Sequence, residues 1–429
     1  MEKLNEDFII NLSNNKGEPL WMKNFRLNSY KKFLELDNPS FGPKINIDFD
    51  NLVYHKGLFA PPSCSWENVD KKVKNTFNDL GVIEAENKYL KGVSNQYESE
   101  VVYHKMEESD GIIFLSTDEA LKKYPELFEK YFNNLVKYDE NKYTALNGAL
   151  WSGGSFIYIP PYTKVDRPLQ SYFRIDTKNL GQFERTIIIV DHDSSLHYIE
   201  GCTAKNYSTT SLHAGVVEIY VGKNSTCKYS TIQNWSKDVY NLVTKRAILE
   251  EGAYMQWVDG NIGSGVTMKY PSCILKGDNA SASSISIAYA KNNQYLDAGA
   301  KMIHLGKNTK STIISKSIAG FGGTSDYRGT VKIAKEATGS FATIKCDNII
   351  LDNISSSNTY PKNIVENNES TLEHEATISK INEEKLNYLM SLGISEDAAK
   401  DLYVLGFMSD FKKSLPMEYA VELNRLIKE

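Results

Sequence analysis

Short runs of β-branched and other apolar residues, each ending at a polar turn, follow one another from about residue 155 to 364. For example, Ile187–Val190 leads into Asp191–Ser194, and Val217–Val221 leads into Gly222–Ser225. Runs of this kind, separated by Gly, Asn, Asp and Ser and almost without helical periodicity, are typical of strands and turns. We therefore predict that the middle of the chain is rich in β-structure.

These strand-and-turn units repeat at a nearly constant spacing. Six of the strands are predicted to end 26 to 31 residues apart, at Val190, Val221, Leu249, Leu275, Leu305 and Ile333. A constant step with the turns in register indicates identical units that stack side by side. Each unit is too short and too rich in β-forming residues for a βαβ crossover or a helical repeat. The pattern predicts a parallel β-helix, and an antiparallel sandwich or barrel is the alternative.

Sequence on both sides of the repeats is predicted to be helical. Asp118–Lys123 starts with acids and continues into apolar positions as far as Leu135, which predicts one amphipathic helix. Near the C-terminus, Asn382 is expected to cap a helix that ends at Gly393. Ser395 is expected to cap the next helix.

The second of these helices is predicted to bury a face formed by Ala398, Leu402 and Leu405. A third helix is predicted from about Met417 to Ile427. The chain should thus form three regions: a mixed, mostly helical region over residues 1–150, a mainly β core over 151–365, and a helical region over 366–429. The C-terminal helices either pack on the core or dock a partner.

Composition and charge exclude several classes of protein. The formal net charge is −5 and only seven arginines are scattered along the chain, so no broad basic surface for nucleic acid is expected. No apolar run approaches the roughly 18 residues that a membrane-spanning helix needs. The N-terminal segment Met1–Asp7 is acidic and is not followed by an apolar signal-peptide core. We expect a cytoplasmic protein, or a protein of a plastid-like stroma if the source is eukaryotic.

The five cysteines, at positions 64, 202, 227, 273 and 346, are too few and too scattered for a disulfide framework or a zinc knuckle. For two of them, the spacing from the preceding strand end predicts a position along a β-helix. Cys202 follows Val190 by 12 residues and Gln233 follows Val221 by 12, so they should lie on neighbouring strands. Cys346 should lie five strands further along, about 24 Å from Cys202. The two thiols therefore cannot share one metal site, and the other three cysteines are expected to be core or incidental residues.

Glu373-His374-Glu375 is the densest polar cluster, and it follows the last predicted repeat. An imidazole flanked by two carboxylates is rich in iron ligands. In a strand, Glu373 and Glu375 would share one face and His374 would point to the other. An exposed, solvated charged stretch is the alternative.

Several sequence motifs resemble those of the SufB/SufD family of the SUF iron–sulfur cluster assembly machinery. They are Trp151–Phe156, Gly181–Thr186, Glu200–Ala204, Ser211–Ala214, Thr231–Ser236, Val239–Arg246, Asn358–Pro361 and Leu372–Thr377. The resemblance runs from about Glu18–Met22 to the C-terminus. Within the family the chain resembles SufB rather than SufD. SufD normally lacks both the Glu-Gly-Cys motif, found here at 200–202, and the cysteine found here at 346.

The resemblance implies a right-handed parallel β-helix between helical ends and a scaffold without catalytic turnover of its own. Cys202 matches the residue that accepts persulfide sulfur, and Gln233 and Trp235 match positions on the internal route of that sulfur. Cys346 matches a cysteine at the interface between subunits. Glu373, His374 and Glu375 match the motif proposed to hold iron or the nascent cluster. The cargo would be a transient cluster, of [4Fe–4S] type; reduced flavin is conceivable, but no residue pattern supports it.

The resemblance also implies partners. These are a SufC-type ABC ATPase docked on the helices from Asn382 to Ser414, a SufD paralogue or a second SufB copy, and a cysteine desulfurase or its sulfur-transfer protein. Other hypotheses are a SufD-like subunit without its own cluster, a carbohydrate-active β-helix enzyme and a purely structural module. The missing signal peptide and the scattered arginines disfavour the carbohydrate-active enzyme.

Overall fold

The structure of the protein, a computed structural model, describes residues 3–107, 111–205 and 210–409. The helices in these residues are α1 (Glu6–Lys16), α2 (Leu20–Glu35), α3 (Lys71–Asp79), α4 (Val82–Tyr89), α5 (Thr117–Lys123), α6 (Pro125–Tyr131), α7 (Lys142–Leu150), α8 (Glu383–Ser391) and α9 (Glu396–Phe407).

The strands fall into two sets by position. Those before the repeats are β1 (Gly92–Tyr97), β2 (Glu100–Met106), β3 (Ile113–Ser116), β4 (Ser155–Ile159), β5 (Leu169–Ile175) and β6 (Gly181–Gln182). Those of the repeats are β7 (Arg185–Val190), β8 (Ser195–Ala204), β9 (Ser211–His213), β10 (Val216–Val221), β11 (Thr226–Asn234), β12 (Val239–Leu249), β13 (Tyr254–Asn261), β14 (Val266–Lys269), β15 (Ser272–Leu275), β16 (Ser281–Ala290), β17 (Tyr295–His304), β18 (Lys310–Ala319), β19 (Thr324–Ile333), β20 (Phe341–Ile350), β21 (Ser356–Val365) and β22 (Thr371–Lys380).

The strands form a flattened coil with two sheets, so the predicted parallel β-helix is confirmed. Sheet I has the order β2-β1-β5-β8-β11-β13-β16-β18-β20-β22, and sheet II has the order β21-β19-β17-β14-β12-β10-β7-β4-β3. In sheet II, β15 also pairs with β12 and β17, and β9 pairs with β6 and β12. Pairing is parallel except at β1–β2 and β3–β4. The chain passes alternately between the sheets, and each pass adds one strand to one of them.

The predicted repeat register is confirmed in sheet II, where Val190 pairs with Val221 and Val221 with Leu249. Leu249 pairs with Leu275. The next step differs by one residue, because Leu275 pairs with His304 rather than with the predicted Leu305. Leu305 begins the turn and is 42% exposed, whereas the His304 side chain points inward and is buried.

The coil extends beyond residue 365, where the sequence placed its end. Strand β22 (Thr371–Lys380) pairs along its whole length with β20 and adds one more strand to sheet I. Glu373-His374-Glu375 therefore lies within the coil rather than after it. Strands β21 and β22 end the two sheets, and in the described part of the chain no further strand pairs with their outer edges.

Helix boundaries follow the predicted capping residues. The Asn382 side chain accepts a hydrogen bond from the amide of Lys385, and the Ser395 side chain accepts one from Ala398. The single helix predicted from Asp118 to Leu135 is instead two helices, α5 and α6, which meet at Tyr124. Pro125 causes the break, because a proline disfavours the helical conformation of the residue before it.

Helix α9 packs on the outer face of sheet I, and α8 packs against α9. Helix α9 buries Ala399 and Val404, and Leu402, predicted on the buried face, is 48% exposed. The helix predicted from Met417 to Ile427 lies outside the described residues, as does part of the predicted ATPase-docking segment. Among the helices that are described, none combines the length and the apolar character needed to cross a membrane.

The interior between the sheets has an apolar half and a polar half. Strands of sheet I begin with inward residues of a continuous apolar core, such as Leu196 and Met255. The same strands end with inward polar residues, such as Gln233 and Asn261. A parallel β-helix that served only structural purposes would be expected to fill both halves with apolar side chains. The polar half is therefore the candidate functional site.

Candidate functional site

Cys202 lies in the polar half of the interior. It is on β8, 1% exposed, and its backbone pairs with that of Gln233 on β11, as the repeat spacing predicted. On its other side it pairs with Phe173. Its side chain packs in a small cluster with Phe173 and Trp235.

A buried carboxylate lies beside this thiol. Glu200 Oε1 is 3.7 Å from Cys202 Sγ and 3.1 Å from Lys245 Nζ. The Tyr229 hydroxyl donates a hydrogen bond to Glu200 Oε2. Burial, and then the charge of Glu200, raise the pKa of the Cys202 thiol well above its ordinary value. Although burial alone would raise the pKa of Glu200, Lys245 and Tyr229 hold it below its usual range. Cys202 is therefore a protonated thiol with a carboxylate as its nearest proton acceptor.

The buried charges continue in alternating sign. Lys245 interacts electrostatically with Asp259 as well as with Glu200. Asp259 Oδ1 is 2.9 Å from Lys269 Nζ, which is also 3.1 Å from Gln233 Oε1. All four charged residues are at most 2% exposed. Each charge thus has an opposite neighbour, which is the condition for keeping charged groups inside a fold.

Gln233 and Trp235 both contact this network. Besides Lys269, Gln233 Oε1 accepts a hydrogen bond of 2.7 Å from Asn241 Nδ2. Asn241 also contacts His213 Nδ1 at 2.8 Å, and the His213 ring lies 4.7 Å from that of Trp235. His213 Nε2 is 2.8 Å from Glu184 Oε2, and despite burial this carboxylate keeps the pKa of His213 raised. The predicted route residues are therefore held by a shell of buried polar groups.

Replacing Lys245 with Met is expected to destabilise the fold by about 3–5 kcal/mol, because the Glu200 carboxylate would lose its cation in a buried site. The measurement is the free energy of unfolding in a denaturant titration. The matched control is the double variant Lys245→Met/Glu200→Gln, in which no charge is left unpaired, and most of the stability should return. Equal destabilisation in both variants would show that packing, rather than charge pairing, accounts for the loss.

Cys346 lies on β20 with its side chain inside the coil and is buried. Following the strand pairings back from Cys346 gives Ser315, Ser286, Asp259, Thr231 and Glu200. We call this row the inner column; Cys346 shares it with Glu200, and Cys202 is two residues further along β8. Cys346 is five strands from Cys202, as predicted, which corresponds to about 24 Å along the coil.

The predicted iron ligands divide between two faces of β22. His374 points inward, on the same side as Cys346, whereas Glu373 and Glu375 point outward, where Glu375 lies 3.7 Å from Lys345. Cys346 pairs with Ala376, so the His374 backbone is diagonally adjacent to that of Cys346, at about 8 Å. Across the described residues, no group of three or more His, Cys, Asp or Glu is close enough to hold a metal ion. The single chain does not assemble the predicted set.

Two of these ligands keep free coordination capacity. His374 Nδ1 lies 3.1 Å from Asn363 Nδ2, and its Nε2 has no partner among the described residues. Burial lowers the pKa of His374, so the imidazole is neutral and can bind a metal. Burial raises the pKa of Cys346 to about 12. A metal or another cation must therefore displace its proton before the sulfur can act as a ligand.

Several unpartnered buried polar atoms lie in or beside the same half of the interior. Within the described residues they include Thr231 Oγ1, Gln233 Nε2, Trp235 Nε1, Asn261 Oδ1, Ser317 Oγ, Ser325 Oγ, Tyr327 OH and Asn348 Oδ1. Buried polar atoms are almost always hydrogen-bonded to protein or to water. Their presence near Cys202 and Cys346 indicates a lumen suited to water or to a small polar guest.

The buried charges of this lumen were not predicted from the sequence. Glu200 and Lys245 lie in motifs that resemble the family, and Asp259 and Lys269 lie in none of those motifs. A usable signal was present, because Glu200 stands two residues before Cys202 and residues at i and i+2 of a strand share a face. A charge at an inward position of a strand marks either a partner across the coil or a functional site.

Comparison with known proteins gives a consistent result. The family model described as the SUF system FeS cluster assembly SufBD core domain matches residues 173–407, and the SufBD protein N-terminal region matches residues 68–171. The chain is 54% identical over 429 aligned residues to an iron–sulfur cluster assembly SufBD family protein of Staphylococcus saprophyticus, covering 99% of this chain and 92% of that one. A protein of the same description from Staphylococcus aureus is 54% identical with the same coverage.

Proposed function

Because the chain belongs to the SufBD family of iron–sulfur cluster assembly proteins, we propose that it is a SufB-type scaffold on which a cluster is built. In this role Cys202 accepts sulfur, the lumen conducts it, and Cys346 helps to hold iron and sulfur at the end of the coil. The finished cluster is cargo and passes to apo-proteins. The scaffold has no turnover chemistry of its own, and ATP hydrolysis belongs to a SufC-type partner.

The observation that carries this proposal is the polar half of the interior. It contains Cys202, four paired charges and several unpartnered polar atoms, inside a coil whose other half is apolar, and Cys346 lies at the border between the two halves. A buried charge is costly even when paired, and well-packed apolar residues would stabilise the fold at least as well. A functional role for the lumen explains why the charges are there.

Sulfur would enter the lumen by exchange at Cys202. The Cys202 thiolate attacks the outer sulfur of a persulfide on a desulfurase or its transfer protein, a new S–S bond forms, and the donor thiolate leaves. Glu200 Oε1, 3.7 Å from Cys202 Sγ, is the nearest group that can take the proton which the thiol must lose. Because Cys202 and Cys346 are about 24 Å apart, sulfur cannot pass directly between them and must travel through the lumen.

Holding the cluster would require a partner subunit. Cys346 and His374 supply two inward ligands, whereas stable clusters of the ferredoxin type are held by four cysteines. Mixed and incomplete ligation suits a scaffold, since the cluster must be released. The outer edges of β21 and β22 are strand edges open to pairing, so a SufD-type paralogue or a second copy of this chain could dock there and complete the set.

The ATPase would dock on the C-terminal helices. Helix α9 packs on sheet I, α8 packs against α9, and the pair leaves apolar residues exposed: Tyr388 is 65% exposed, Leu392 62% and Leu402 48%. Exposed apolar residues grouped on a helical pair are typical of a protein–protein interface. Movement of these helices with ATP hydrolysis could then open and close the adjacent end of the coil.

A SufD-like subunit that holds no cluster of its own is the second candidate. The observation that favours it is that the predicted ligands do not converge within the described part of one chain. The presence of Cys202 in the polar half of the interior and of Cys346 at its border favours the scaffold, because a structural subunit needs neither thiol.

Anaerobic reconstitution of the purified chain, alone and co-purified with its cognate ATPase, tests the proposed function. The protein is incubated with ferrous iron, a sulfide source and reductant, desalted, and analysed for iron and acid-labile sulfide. A scaffold should become brown and retain both elements. A protein that stays colourless in every combination would support the structural subunit instead.

A further inference from the structure

Tyr327 is a buried tyrosine of the interior that the proposed function does not yet use. It lies on β19 in sheet II, its side chain points inward, and it is 1% exposed. Its hydroxyl has no hydrogen-bond partner among the described residues. A fully buried donor of this kind is rare, because native folds pair nearly all such groups.

Strand pairing places Tyr327 beside the residue of sheet II that contacts Asn348, on the strand that carries Cys346. Tyr327 pairs with Thr359 on the next strand of sheet II, and Thr359 Oγ1 accepts a hydrogen bond of 2.8 Å from Asn348 Nδ2 across the interior. Asn348 is two residues after Cys346 on the same inward face of β20. The two sheets are about 10 Å apart, and a tyrosine side chain crosses most of that distance. Consistent with this position, the Tyr327 hydroxyl interacts electrostatically with Cys346 and Asp259.

The ring of Tyr327 has a defined position in the lumen. It packs over Gly329, where an added Cβ would come within 3.3 Å of the ring carbon Cε1. The ring belongs to the same packed cluster as Cys346 and Ile344. The ring is therefore held in the interior close to Cys346.

We propose that Tyr327 is a binding residue for anionic sulfur at Cys346: its hydroxyl donates a hydrogen bond to a persulfide on Cys346 or to hydrosulfide beside it. The inference rests on the proposed function and adds to it a subsite at the end of the lumen. The hydroxyl lacks an acceptor because its acceptor is the sulfur that arrives. Ser317 and Asn348, which also have unpartnered atoms, pair with each other on β18 and β20, and Asn348 is two residues after Cys346.

Inorganic polysulfide is a direct probe of this subsite. The Cys346 thiol gives up its proton to the polysulfide, and its sulfur attacks a terminal sulfur of the polysulfide dianion. An S–S bond forms at Cys346, and a hydropolysulfide anion one sulfur shorter leaves with the electron pair and the proton. The reaction needs no external oxidant or reductant, and its product carries the negative charge that Tyr327 would stabilise.

The experiment compares the full-length wild-type chain with Tyr327→Phe under anaerobic titration with sodium polysulfide. Persulfide on the Cys346 peptide is quantified by mass spectrometry. We expect the half-saturating polysulfide concentration to rise about tenfold in the variant with unchanged maximal loading, because a hydrogen bond to a charged group is lost. The matched control is Tyr289→Phe, which removes a hydroxyl from a buried tyrosine on the outer face of sheet I and should leave loading unchanged.

Thermal unfolding separates binding from structure. Tyr327→Phe should unfold at the same temperature as the wild type or higher, since it removes a polar atom that has no partner in the fold. A lower unfolding temperature, or half-saturation within about twofold of the wild type, would overturn the role of Tyr327 while leaving the proposed function intact. If wild-type Cys346 takes up no sulfur at all, the proposed function itself fails at this step.

Discussion

Cys346→Ala is expected to reduce retention of iron and acid-labile sulfide to background while the coil stays folded. Cys346 is the only cysteine on the inward face at the β20–β22 end of the described coil, and a thiolate is the ligand that iron–sulfur clusters most consistently use. Loss of one buried sulfur atom should cost about 1 kcal/mol of stability, which a protein of this size tolerates. The measurement is iron and sulfide content after anaerobic reconstitution, with circular dichroism to verify the fold.

Cys227→Ala is the matched control for this variant. Cys227 is equally buried, also points into the coil from sheet I, and belongs to the same packed cluster, but it lies in the apolar half. It should retain the wild-type content of iron and sulfide. A full complement of both elements in Cys346→Ala would show that the cluster is held elsewhere and would refute the assigned ligand.

Cys202→Ala is expected to stop cluster assembly when sulfur comes from a desulfurase but not when free sulfide is supplied. The thiol lies at the start of the lumen beside Glu200, about 24 Å from Cys346, so it can accept sulfur but cannot ligate a cluster held at Cys346. The measurement is the rate and extent of cluster formation with each sulfur source. Loss with the enzymatic source alone distinguishes sulfur acceptance from structural support.

The two sulfur sources act as each other's control for Cys202→Ala. Equal loss of cluster assembly with both sources would mean that Cys202 has a structural role, through its packing against Phe173 and Trp235. Equal activity with both would mean that sulfur enters elsewhere. The Cys227→Ala variant should behave like the wild type with either source.

Glu373, His374 and Glu375 lie on two faces of β22, so they do not all face the proposed cluster site from inside the coil. His374 and Cys346 face the lumen, whereas Glu373 and Glu375 face outward from β22 and lie at the end of sheet I. If the glutamates take part, they do so from the outside of the coil or across a subunit seam at its open edge. Their contribution is therefore expected to depend on the docked partner more than that of His374.

Much of the fold followed from periodicity. The constant step of the repeats predicted the pairing of Val190 with Val221 and of Cys202 with Gln233, because a residue at the same phase of each unit must lie on the same row of a stacked coil. The capping residues Asn382 and Ser395 predicted where α8 and α9 begin, because their side chains satisfy the free amides of a first helical turn. These features depend on neighbours in the chain or on a repeat of about 28 residues, and both are visible in a sequence.

The tertiary structure alone decided what lies across the coil. Sequence phase places a side chain on a row and a face of its own sheet, but which residue of the other sheet stands opposite depends on how each turn bends and how far each side chain reaches. The contact of Glu200 with Lys245, the bridge from Asn348 to Thr359 and the packing of Tyr327 in the same cluster as Cys346 are all of this kind. Small changes in turn length, such as the shift from Leu305 to His304, alter the register by a residue and reverse the side-chain direction. The sequence by itself therefore determined the coil and its two thiols, and only the folded chain determined the polar lumen between them.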